Sequence, residues 1–267
     1  MQRKIYDCFQ FFNELDILDI RLNELDSQVD YFVIVEAELS HQLKPKPLYF
    51  KENKERYSKF LHKIIHVVVP ADKFVSNTIQ HFAHHNDQIQ RNSLRNGIEN
   101  ANDEDFIIIS DLDEIVSSKK IQDHKNSQYW ESPIPVIFEQ NFYLWYLNAR
   151  ADGFPWINSG MCLKKDLDEI GTRGFKDNKT CFTFPRIKDG GWHFSYIGNP
   201  NTVKTKLDNF AHTEFSHLTI DDLKKNRENL IDPLGRKDEG INIVVDSIQT
   251  MPQYVQDNIE KFKDFLI

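Results

Sequence analysis

Over its first 115 residues the chain alternates short apolar runs with amphipathic stretches. Ile5 to Phe12 is apolar and aromatic and predicts a first strand. Leu15, Leu18, Leu22 and Leu25 then recur at spacings of three and four, the stripe of a helix that buries one face. Asn13 or Asp16 is the candidate cap of that helix, with Glu14 in its first turn. Tyr31 to Val35 predicts a second strand ending at Glu36. Glu38 to Phe50, with its Lys44-Pro45-Lys46-Pro47 run, predicts a loop. Glu52 to Lys63 predicts a helix, and Ile64 to Val69 a third strand stopped by Pro70. His81 to Asn100 predicts a long polar helix with Phe82, Ile89, Leu94 and Ile98 facing inward. The strand 106–110 follows, and its run Phe106-Ile107-Ile108-Ile109 suits burial on both faces. Such alternation implies an α/β fold with a parallel sheet and right-handed crossovers.

The pattern changes at about residue 116. Pro135 to Leu147 is rich in aromatics and predicts strands. Gly153 to Gly174 contains five Gly or Pro and predicts loops. Gly190 to Tyr196 reads as a strand hinged on glycine. Thr202 to Ala211, Asp221 to Leu230 and Gln253 to Phe265 predict helices. No repeat, low-complexity stretch or linker interrupts the chain. The expectation is one domain over residues 1–267: a nucleotide-sugar half (1–115), an acceptor and metal half (116–215) and a helical extension (216–267).

Composition narrows the function classes. The 267 residues, 40% hydrophobic and 12% aromatic, suffice for a large core and a stacking site for a ring-shaped ligand. A net charge of −8 without a basic run argues against nucleic-acid binding. Of the three cysteines, Cys8 sits in the first apolar run as a small hydrophobe. Cys8, Cys162 and Cys181 have no spacing that would build a disulfide framework or a zinc site. Met1-Gln2-Arg3-Lys4 leads straight into a strand, and no apolar run reaches the ~20 residues of a membrane span, so a cytoplasmic protein without a transmembrane segment is expected. No Gly-x-Gly-x-x-Gly or Walker A sequence occurs, which argues against a classical dinucleotide or P-loop site.

The chemistry concentrates at Ser110-Asp111-Leu112-Asp113-Glu114, where the buried fourth strand ends in two carboxylates one residue apart. Open α/β sheets bind ligands at strand carboxyl ends. Hard oxygens there suit Mg²⁺ or Mn²⁺ bridging to substrate phosphates. The plainer reading is a pair of acids at a helix N-terminus. His193 is a further candidate metal ligand, weighed against a structural histidine. Glu36, at a strand end, is placed to take hydrogen bonds from a ribose or a base. Lys44, Lys46 and Arg91 are candidate phosphate contacts. Trp192, Tyr196, Tyr143, Trp145 and Trp156 are candidate stacking surfaces, against the commoner fate of core packing. For a general base, Glu214 competes with Asp189 and Glu139.

Ordered together, these pieces resemble glycosyltransferase family 17, the family of the enzyme that adds bisecting GlcNAc. The carrying stretches run from Phe11 to Leu25, from Val29 to Glu36, from Lys46 to Phe50 and from Ile108 to Ile115, then Gly191-Trp192-His193 and Lys206-Leu207. The resemblance implies a GT-A-like fold, a mostly parallel Rossmann-type sheet flanked by helices. It also implies a UDP-GlcNAc donor, a divalent metal (Mn²⁺ or Mg²⁺) and inversion at the anomeric carbon. On the family pattern Asp111 and Asp113 hold the metal on the donor diphosphate, and Glu36, Lys46 and Arg91 match its nucleotide half. To these the residues themselves add His193 as a metal ligand and Trp192, with Asp111, as donor contacts. Glu214 falls where the family also places an acid, which favours it as the base beside a catalytic Asp113. The chain departs from the family's eukaryotic members, which are membrane-anchored and act on N-glycans, and after about residue 216 nothing matches. The expected acceptor is therefore a glycan, lipid-linked sugar or polysaccharide, reached from the cytoplasm or a membrane surface. Two other classes compete. One is a haloacid-dehalogenase-like phosphatase, whose Asp-x-Asp normally opens the domain and is followed by Thr or Val where Ile115 stands here. The other is a non-catalytic nucleotide-sugar or glycan-binding module.

Overall fold

The strand–helix alternation of the first third becomes a four-stranded parallel block. The computed structural model describes residues 3–131, 133–176, 183–235 and 240–267. In it β1 (Ile5–Phe11), β2 (Tyr31–Ala37), β3 (Ile64–Val69) and β4 (Phe106–Ile109) pair in the order β3-β2-β1-β4. Side chains of successive residues leave a strand on opposite faces, so β1 feeds two core layers. Ile5, Phe9 and Phe11 pack with Leu18, Leu22 and Leu25 of the helix α1 (Leu15–Leu25). Tyr6 and Cys8 pack on the other face with Leu94 and Ile98. Covered on both faces, the strands need the continuous apolar runs read from the sequence.

The second half makes the sheet mixed rather than mostly parallel. β5 (Glu114–Val116), β6 (Val136–Leu144), β7 (Ala149–Asp152), β8 (Trp156–Leu163), β9 (Arg186–Ile187), β10 (Gly191–Ser195) and β11 (Asn242–Val245) complete eleven strands among the described residues. β8 runs antiparallel to both β4 and β6, and β7 antiparallel to β6 and β11. The cause is connection length. Only a few residues separate β6 from β7 and β7 from β8, whereas a parallel return needs a crossover of a dozen or more.

The predicted loop at 153–174 is a correction of the same kind, because it contains β8. Gly160 in that strand is a close approach rather than a turn: a Cβ there would lie 2.1 Å from the Phe175 ring. The predicted helix at 52–63 is a short helix α2 (Tyr49–Asn53) continued as a 3₁₀ stretch, Lys54–Phe60. The long helix expected at 81–100 is likewise α3 (Phe82–Asn92) followed by a 3₁₀ stretch, Ser93–Ile98. The C-terminal helix is divided at Asn258 into short turns. In α1 the N-cap position is Glu14, and no side chain caps the helix. Cys8 and Cys162 are buried and unpaired, and Cys181 lies outside the described residues.

Arg21 fastens the turn that follows β4. It projects from α1 and is fully buried. Its Nε and Nη2 donate to Asp7 of β1 at 2.8 and 2.6 Å, and Nη2 also donates to Ser110 Oγ at 2.6 Å. Nη1 donates to the carbonyl oxygens of Asp111, Leu112 and Glu114 at 2.6, 3.0 and 3.2 Å. The guanidinium also stacks 4.2 Å from the centre of the Phe9 ring. Breaking a buried pair from one side leaves the partner charge uncompensated. Arg21→Met should therefore cost about 3–5 kcal/mol in denaturant unfolding. Arg21→Lys should recover little of this, since an ammonium cannot reproduce the planar fork. Loss of under 1 kcal/mol in Arg21→Met would remove Arg21 from this role.

Candidate active site

The carboxyl ends of β1, β2 and β4 open into a cleft of about 380 Å³, within the range of small-ligand sites. Gln10, Phe11 and Phe12 at the end of β1, Leu39 to His41 beyond β2 and Asp111 to Asp113 beyond β4 form one wall. His193, Ser195 and Tyr196 from β10 and its end form another. Gly191 brings β10 into place: its φ is +139°, and a Cβ there would lie 2.1 Å from the Ile115 carbonyl oxygen. That approach pairs His193 with Glu114 of β5, and Phe194 N donates to Asp113 O at 2.7 Å.

Each carboxylate in the cleft faces a cation from a different element. Asp111 accepts from Arg91 Nη1 at 2.9 Å and from Lys176 Nζ at 2.8 Å. Burial opposes ionisation of Asp111, but Arg91 and Lys176 outweigh it and hold its carboxyl well below the usual range. Asp113 accepts from Lys206 Nζ at 2.7 Å. Burial is again outweighed there, chiefly by Lys206, and the carboxyl is lowered. Glu114 is fully buried beneath them and accepts from Trp156 Nε1 at 2.7 Å, Lys176 at 2.8 Å and Asp111 N at 2.7 Å. Lys206 also pairs with Glu14 at 3.2 Å, and Asp113 and Glu14 raise its pKa against the opposing effect of burial.

The structure brings some sequence candidates together and separates others. Lys46, Arg91, Asp111, Asp113 and His193 line the cleft, as do Trp156 and Tyr196. Glu36 does not line it. Its buried carboxylate accepts from Phe50 N at 2.9 Å and lies 3.2 Å from His66 Nε2, so it caps α2. Trp192 also stays out of the lining, because neighbours on a strand face opposite sides. Its indole donates to Thr250 O at 2.8 Å, while the His193 ring lies 4.1 Å from that of Trp156. Lys44 is spent on the Asp208 carbonyl at 2.5 Å. Tyr143 and Trp145 are core residues. Of the three candidate bases, Asp189 and Glu139 lie outside the lining, and so does Glu214. Glu214 is exposed, and its Oε1 lies 2.8 Å from Nδ1 of His212, which does line the cleft.

Sequence reasoning passed over Lys176, Arg173, Glu14 and His212 as site residues, and took Lys206 only as part of a family motif. Lysines and arginines in polar segments carry no signal of their own. Lys206 stood out only through the Lys206-Leu207 pair of the resemblance, and it lies in a helix (Pro200–Leu207) capped by Asn199.

As a cation site the residues fit in part. Asp113 Oδ1 lies 3.6 Å from His193 Nε2, a separation that one ion can span. Burial lowers the His193 pKa and so favours the neutral imidazole that metals require. Asp111 does not join them, and the described residues hold no group of three His, Cys, Asp or Glu able to ligate a metal. Two protein donors with a substrate diphosphate and water are a common arrangement for Mg²⁺.

A family model described as Glycosyltransferase family 17 matches residues 1–230. The chain belongs to this family. It is 26% identical over 239 residues to the β-1,4-mannosyl-glycoprotein 4-β-N-acetylglucosaminyltransferase of Homo sapiens. It is 22% identical to the protein of the same name from Rattus norvegicus. Each alignment covers 80% of this chain and 44% of the relative, so the chain spans less than half the length of these curated relatives. No helix among the described residues is long and apolar enough to cross a membrane.

The network predicts a pH dependence. Asp87 lines the cleft and takes hydrogen bonds from Gln10 at 3.0 Å, Arg91 at 3.3 Å and Arg173 at 2.8 Å. Burial opposes its ionisation, but Arg91 prevails and its pKa is lowered. A depressed folded pKa stabilises the protein above the unfolded value and is lost as pH falls through the folded one. Asp87→Asn should therefore lower the melting temperature near neutral pH, and the gap from wild type should close below about pH 4. A gap that is constant from pH 7 to pH 3 would contradict this.

Proposed function

We propose that this chain is a glycosyltransferase that moves a sugar, GlcNAc from UDP-GlcNAc, onto a hydroxyl of a glycan, lipid-linked sugar or polysaccharide. The fold is of the GT-A kind and the reaction inverts the anomeric carbon. The observation that carries this reading is the setting of Asp111 and Asp113. They stand at a strand carboxyl end in a cleft lined by Lys46, Arg91, Arg173, Lys176 and Lys206, within a family 17 chain. A nucleoside diphosphate brings negative charge to such a cleft, and more of it develops on the leaving oxygen as the glycosidic bond breaks. Fixed cations promote the reaction only through contacts that strengthen at that moment.

Lys206 is suited to that task, since its ammonium lies in the cleft lining between Asp113 and Glu14. Lys176 and Arg91 hold Asp111 in position, where its carboxylate can accept hydrogen bonds from a ribose. Trp156 and Tyr196 offer ring faces to a sugar or base. Asp113 with His193 would hold a divalent ion, Mn²⁺ or Mg²⁺, whose chemistry when bound is to neutralise the diphosphate. The half-exposed turn carrying His212 and Glu214 is assigned to the acceptor. The family 17 match over residues 1–230 weighs against the phosphatase alternative.

The test is a titration of UDP, UDP-GlcNAc and other UDP-sugars with and without Mn²⁺, followed by thermal shift and calorimetry. A ligand at 100 times its Kd stabilises the native state by about 2.7 kcal/mol. UDP-GlcNAc should bind, with Mn²⁺ increasing its affinity, and Asp113→Asn should lose the Mn²⁺ effect while unfolding cooperatively. No response of the wild-type protein to any UDP-sugar would overturn the function.

A further inference from the structure

We propose that His212 is the group that removes the acceptor's proton, and that Glu214 acts through it as a positioning residue. The inference rests on the glycosyl-transfer reading and deepens it. It starts from which groups in the lining remain able to accept a proton. The acids there are Glu14, Asp87, Asp111 and Asp113, and each is ion-paired with a lysine or arginine. The histidines there are His41, His84, His193 and His212. His41 and His193 are committed to Gln90 and Asp113 and are held neutral by burial, which makes them weak bases. His84 has its pKa lowered by burial and by the neighbouring His212.

His212 differs in having a carboxylate behind its ring and an open side in front. Its Nδ1 lies 2.8 Å from Glu214 Oε1. Burial disfavours the Glu214 anion, but hydrogen bonds from its own backbone N–H and from His212 together prevail and lower its pKa. An ionised carboxylate only accepts, so Nδ1 carries the hydrogen and the Nε2 lone pair is left free. The ring is set by an edge contact with His84, 5.1 Å between centres, and by Phe210 at 5.4 Å and Phe215 at 6.5 Å. The titratable groups packed near it are Glu214 and His217 on its own turn and His84 on α3, and His84 in turn feels Asp87 and Arg173. Half-exposed, the pair is open to a bulky acceptor arriving from solvent.

In the step, the acceptor O–H proton passes to His212 Nε2 as the hydroxyl oxygen bonds to the anomeric carbon. The bond from that carbon to the diphosphate oxygen breaks, and its electron pair leaves on UDP. The imidazolium, paired with Glu214, then returns its proton to solvent.

The test compares wild type with His212→Gln, Glu214→Gln and Glu214→Asp in the full chain. UDP release from UDP-GlcNAc is followed with a panel of p-nitrophenyl glycosides as acceptors, and UDP-GlcNAc affinity is measured by calorimetry. His212→Gln should keep donor affinity within about twofold, lose about 100-fold or more in kcat and lose the acid limb of the pH–rate profile. Glu214→Gln should lose less and move that limb to lower pH, and Glu214→Asp should restore part of both. Wild-type turnover in His212→Gln, or an acid limb unchanged in both His212→Gln and Glu214→Gln, would overturn the inference and leave the glycosyltransferase reading standing. A wild-type protein that neither binds a UDP-sugar nor releases UDP would overturn both.

Discussion

The Arg21 guanidinium is the contact on which the site depends. A buried cation needs partners for its charge and for all of its N–H groups. Arg21 finds them in Asp7 of the central strand and in the carbonyl oxygens of the turn that bears Asp111 and Asp113. One side chain thereby ties α1, β1 and the turn after β4 at fixed distances. The turn then cannot relax without stranding a buried charge. A loop held in this way presents its carboxylates with the precision of a regular element.

Above that anchor the cleft is built by pairing each acid with a base supplied from elsewhere. Arg91 comes from α3, Lys176 from beyond β8 and Lys206 from the helix after β10, and all of them converge on the two aspartates. The protein as a whole carries a net charge of −8, yet the lining is rich in cations. Global charge governs solubility and approach, whereas local charge governs what a site can hold. Within the cleft the cations crowd the aspartates, while His212 is half-exposed.

The parallel half of the fold was legible because burial on both faces leaves a signal in one dimension. Phe106 to Ile109 and Tyr31 to Val35 could hardly be anything but interior strands, and the structure has them so. The antiparallel half was less legible. In β8, Gly160 serves the Phe175 ring and the strand begins just after Pro155, so residues that usually punctuate loops sit at or within a strand. Asp111, Asp113, His193, Arg91 and Lys46, singled out from strand ends and motif order, all line the cleft. Glu36 and Trp192 share those sequence signals, yet one caps α2 and the other turns to the opposite face of β10.

The sequence by itself determined where strands and helices alternate, and that an Asp-x-Asp ends a buried strand in the order of a family 17 chain. Those features arise from local periodicity and from residues close together in the chain. Only the tertiary structure decided which charges meet. Arg21 and Asp111 are 90 positions apart, and Lys206 and Asp113 are 93 apart. Nothing local distinguishes such a lysine from a solvated one. Its role is set by the desolvation of an acid that it must neutralise, and that cost exists only once the chain has folded around both.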